Sequence, residues 1–160
     1  MKIIITEEQK KKLFTPIINE GQVYPYELNP SYSDPDKREI VYEFKNRDNH
    51  QFEVVFYNLG DNNWEREYRT LNKGLGVLNT SDVYNIMETV TKITLDFIRE
   101  YEPNIITIFH IKTNKEKKGG EDNKISKRAL LNKKYLQPAI SQLDNYYYKL
   151  LGSTSYISKI

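Results

Sequence analysis

No cysteine occurs in the 160 residues, so disulfide frameworks and thiolate zinc sites are excluded. Histidine is scarce too. His50 and His110 stand sixty positions apart without a carboxylate cluster at ligand spacing, which leaves no metal signature. Long apolar runs are missing. The three isoleucines of "MKIIITEEQKKKLF" give way at once to a polar stretch, too short for a signal peptide, and no run approaches a membrane span. A soluble protein is expected, with no membrane partner. No serine sits in a Gly-x-Ser-x-Gly elbow, so nucleophilic catalysis has no motif to stand on. The acids, including those of "EREY" (65–68), form no pair at acid–base spacing.

What the chain does have is enough length for one core and 13 tyrosines. A chain of this size needs no metal or disulfide staple to fold. We read residues 1–160 as one domain: an N-terminal helix and irregular arm over 1–37, then an α+β core over 38–160. "TEEQ" (6–9) fits a capping box, opening a short helix from about Glu7 to Phe14 that Pro16 ends. "GQVYPYELNPSYSDPDK" (21–37) holds three prolines and reads as an irregular arm pinned by tyrosines.

Three alternating runs follow. Ile40, Tyr42 and Phe44 share a face of "REIVYEFKN" (38–46). Phe52, Val54 and Phe56 do so in "QFEVVFYN" (51–58), and Trp64, Arg66 and Tyr68 in "NWEREYRTL" (63–71). Separated by "RDNH" and "LGDN", they predict an antiparallel meander. Val83, Ile86, Val90, Ile93, Phe97 and Tyr101 then recur at helical spacing over 81–101. Thr80 or Ser81 can cap this helix, Asp82 suits its positive end, and Pro103 closes it. The dense apolar run "NIITIFHI" (104–111) predicts an interior strand covered on both faces. "KISKRALLNKKYL" (124–136) and "PAISQLDNYYYKLL" (138–151) read as helical, with Pro138 either kinking one long helix or beginning a second. The second would bury Ile140, Leu143, Tyr147 and Leu150/Leu151 and end at Gly152. "SYISKI" (155–160) reads as a last strand. The order is helix, three strands, helix, strand, helix pair, strand: an α+β fold with helices on a mainly antiparallel sheet.

Net charge is only +2, but residues 112–134 hold nine Lys/Arg against three Asp/Glu. Within them Lys124, Lys127, Arg128, Lys133 and Lys134 lie around a predicted helix. With the aromatics of "NYYYK" they could bind single-stranded nucleic acid through phosphates and stacking. A solvated helix face is the other reading, and no fold-specific nucleic-acid motif accompanies the lysines. His110 is a candidate general base or a structural strand-end residue.

The stretch "RTLNKGLGVLNTSD" (69–82) carries two glycines between a strand and a helix. In outline it resembles the acyl-CoA-dependent N-acetyltransferases, whose pattern is Arg/Gln-x-x-Gly-x-Gly/Ala after a strand. The resemblance implies acetyl-CoA as cofactor, its diphosphate held by the amides of Gly74 and Gly76. The chain departs from the pattern at Leu71, where Arg or Gln would stand, and five residues (77–81) separate Gly76 from the helix. The alternative is a connection using positive backbone angles at either glycine, with no ligand.

A second resemblance covers residues 63–136. Asn79 to Asp82, Thr89-Val90, Phe97-Ile98, Pro103 to Phe109, and Arg128 with Leu131 resemble a pattern in small uncharacterised proteins of tailed bacteriophages. It departs at Asn132, where tyrosine would follow leucine. The resemblance implies a fold and an origin, and transfers no catalytic residues. The function expected is non-enzymatic: contact with other phage or host proteins, in a virion or in host cytoplasm, without a cofactor. The alternatives are a divergent acyltransferase using acetyl-CoA and single-stranded nucleic-acid binding.

Overall fold

A computed structural model describes residues 22–31, 38–71, 80–110 and 125–160. The helix expected over 7–14, the Gly74–Gly76 bend and the charged loop at 112–123 lie outside the described residues.

The elements in chain order are β1 (Tyr26–Leu28), β2 (Glu39–Lys45), β3 (Gln51–Gly60), β4 (Asn63–Thr70), α1 (Thr80–Tyr101), β5 (Ile105–Phe109), α2 (Lys127–Ile140), β6 (Tyr146–Leu151) and β7 (Thr154–Lys159). Together the strands form a seven-stranded sheet in the order β1-β2-β3-β4-β5-β7-β6. Every neighbouring pair is antiparallel except β4 and β5. This is the expected α+β architecture.

The alternating residues meet across the meander as their spacing requires. Ile40 lies opposite Phe56, Tyr42 opposite Val54, and Phe44 opposite Phe52. The β3–β4 hairpin closes on Asp61 and Asn62, both at positive φ, a primed two-residue turn whose twist matches the strands. Helix α1 buries Ile86, Met87, Val90, Ile93, Thr94, Phe97 and Ile98. The Phe97 ring stacks parallel on Phe56 with centroids 3.7 Å apart and meets Trp64 edge-on. Helix α2 adds Leu136 and Ile140 to the same cluster, beside Ile106, Ile108 and Ile157 of the sheet. Both helices therefore cover one face.

Some expectations need correction. The arm at 21–37 is not wholly irregular, because Tyr26–Leu28 pairs with β2 as an edge strand. Of the two readings at Pro138, one helix runs through the proline, and it ends at Ile140. The segment 138–151 is not a second helix, since Tyr146–Leu151 is strand β6, paired with β7. Ile140, Leu143, Tyr147 and Leu150 have helical spacing, yet "YYYKLL" also alternates and is rich in aromatics suited to strands. Pairing with β7 decides between the two periods. Gly152 does take a positive φ, but in the β6–β7 turn. Finally, β5 is interior to the sheet as expected but open on one face: Ile105 and Phe109 are exposed.

Candidate functional site

Three places hold chemistry that the fold does not explain by packing alone. The first is the N-terminus of α1. Asp82, in its first turn, is fully buried. Its carboxylate accepts from the Tyr24 hydroxyl and from Asn46 Nδ2, the latter at 2.6 Å. The positive end of the α1 dipole thus already faces an internal anion. A diphosphate brought there would meet a fixed negative charge.

The second is the parting of β4 and β5. Their parallel register covers only Asn63–Ile105, Trp64–Ile106 and Glu65–Thr107. In open sheets, the carboxyl ends of strands at such a switch of direction are where ligands bind. Here the next residue, Arg66, fills the space with its own side chain. It is fully buried, and donates from Nη1 to Thr94 Oγ1 of α1 (3.1 Å) and from Nη2 to Asn132 Oδ1 of α2 (2.7 Å). Its Nε has no partner, and no carboxylate pairs with it among the described residues. Burial pushes the guanidinium down to about 10, so it stays charged at neutral pH.

Beside it, His110 Nε2 lies 2.7 Å from Ser155 Oγ, which lies 2.7 Å from the Tyr148 hydroxyl. Burial and then the charge of Arg66 lower His110 to about 4. It is a neutral imidazole, poorly matched to general-base work near pH 7. Burial raises Tyr148. The sequence had brought Arg66, His110 and Asn132 to notice separately. Only the crossover through α1 and the packing of α2 on the sheet bring them together.

The third is the other face of the sheet. On its β2–β3 half this face is covered, with Val41 and Val55 buried. On the β5–β7–β6 half no described element covers it. Register sets three rows there: Phe109–Thr154–Leu151, Thr107–Tyr156–Lys149 and Ile105–Ser158–Tyr147. Four large apolar or aromatic side chains mark its corners: Phe109 (57% exposed), Leu151 (52%), Tyr147 (48%) and Ile105 (38%). Lys149 is the one charged side chain in the three rows.

The basic residues sit elsewhere. Lys127, Arg128, Lys133 and Lys134 are exposed on α2, and Lys124 lies outside the described residues. Lys134 Nζ lies over the Tyr84 ring, 5.2 Å from its centroid, and so helps join α2 to α1. Tyr147 points from the opposite side of the sheet. The lysines and the exposed tyrosine therefore do not share a groove. Gly74 and Gly76 lie outside the described residues. Among the described residues no three His, Asp or Glu side chains converge as a metal site would require. The chain matches no protein-family model, no curated protein and no solved structure.

Proposed function

We propose that the chain is a non-enzymatic protein of tailed-phage type that works by contact with another protein of the virion or the infected cell. The observation that carries this reading is the bare β5–β7–β6 face. Isolated exposed apolar residues are ordinary, but four around one uncovered sheet surface make a patch of the kind that binds a partner. Aromatic and aliphatic anchors with a single charge suit the centre of a protein interface. The test is co-purification from infected cells with the wild type and with Phe109→Glu/Leu151→Glu. The double variant keeps its melting temperature and loses the partner. Retention of the partner by a folded double variant contradicts the reading.

A second reading, a divergent acyl-CoA acyltransferase, draws support from the parallel β4/β5 step, with Gly74 and Gly76 placed in sequence between β4 and α1. Asp82 and Arg66 weigh against it, since one occupies the positive helix end and the other the crevice. It expects acetyl-CoA at a hundred times its dissociation constant to stabilise the fold by about 2.7 kcal/mol. We expect no rise in melting temperature at millimolar acetyl-CoA, read by scanning fluorimetry; a saturable rise favours the enzyme.

A further inference from the structure

Strand β6 is one end of the sheet, and among the described residues nothing pairs with its outer edge. One backbone bond next to β6 fixes which of its backbone groups face outward. The amide of Ile160 donates to Asn145 O, on the β7 side of the hairpin. By antiparallel alternation Tyr147, Lys149 and Leu151 also bond toward β7. Tyr146, Tyr148 and Leu150 then turn their carbonyls outward, and Tyr148 and Leu150 their amides as well. The Tyr146 amide is taken up by Leu143 O. Natural sheets blunt long edges with proline, bulges or inward charges. "YYYKLL" carries no proline and no bulge along six residues, and Lys149 is its one charge; the opposite edge, β1, has three residues.

We propose that β6 pairs antiparallel with β6 of a second copy, joining two sheets into one across a two-fold axis. An antiparallel edge complements itself, so one symmetric contact satisfies both copies and closes the assembly. Charge selects the register. An axis through Lys149 sets two lysines directly opposite, an unfavourable cross-strand pair. An axis through Tyr148 instead bonds Tyr148 to its own copy and Tyr146 to Leu150. It also sets each Lys149 beside the other copy's Tyr147 ring, a cation–π arrangement. An axis through Leu150 runs the ladder into the turn at Gly152, whose φ is positive. The bare faces of the two copies then run on from one another. The inference stands on backbone groups and is independent of which partner the bare face holds.

The native chain has no cysteine, so engineered ones report alone. In the Tyr148 register, residues 147 and 149 of opposite copies form a non-hydrogen-bonded pair with Cα atoms about 4.5 Å apart, within disulfide reach. Full-length Tyr147→Cys and Lys149→Cys proteins, mixed and oxidised, are expected to cross-link, and neither alone. Sedimentation should show the wild type as a dimer. Tyr147→Lys, an exposed change that faces lysine with lysine, should raise the dimer dissociation constant about fivefold. Cross-linking by Lys149→Cys alone overturns the register. A monomer at high micromolar concentration, or a dimer that the mixed cysteines do not trap, overturns the pairing.

Discussion

At the scale of the residue, Arg66 is, among the described residues, the one buried cation that the packing leaves without a counter-ion. Taking a charge out of water costs several kcal/mol, and two hydrogen bonds to neutral groups return only part of it. Arg66→Met keeps the length and removes the charge. It should leave stability unchanged or raise it by about 1 kcal/mol, read as urea midpoint. A loss above about 2 kcal/mol would mean that the bonds to Thr94 and Asn132 outweigh desolvation. His110 gives a pH prediction with a definite sign. Its folded pKa, about 4, lies below the ordinary 6.5, so the folded state disfavours its proton. That contribution is complete above pH 6.5 and is lost as pH falls from 6.5 toward 4, at no more than about 1.4 kcal/mol per pH unit. His110→Gln should flatten that part of the stability–pH curve relative to wild type. Identical slopes contradict the assignment.

At the scale of the element, α1 and the meander were legible because one period ruled each of them. Ile40, Tyr42 and Phe44 alternate without a helical rival, and Ile86, Val90, Ile93 and Phe97 recur without a strand rival. The aromatic stack this produces is testable: Phe97→Ala should cost about 3–5 kcal/mol in chemical denaturation. Strand β6 was not legible, because its residues satisfy two periods at once and only β7 resolves them. Helix α2 begins at Lys127, three residues later than the spacing predicts. Ser126 caps it, accepting from the Ala129 amide at 3.1 Å, and local polarity around Lys124 did not mark that boundary. Ser126→Ala should cost about 1 kcal/mol, with helix content preserved by circular dichroism.

For the whole molecule, the α+β class followed from the order of elements, whereas the candidate site did not. Arg66, His110 and Asn132 come from β4, the end of β5 and α2. No local pattern links positions so far apart; the parallel crossover does. The bare face was hidden for the same reason, since it depends on β6 lying beside β7. The apolar density of "NIITIFHI" suggested cover on both sides, whereas the fold covers one and leaves Ile105 and Phe109 to solvent. On this account a mixed sheet keeps one half of one face for a partner, and Arg66 fills the space where β4 and β5 part. The most direct test places a photo-cross-linking amino acid at Phe109, with Lys133 on α2 as the control, in infected cells. The account predicts one protein cross-linked from position 109 and none from 133. Equal cross-linking from both, or none from 109, contradicts it.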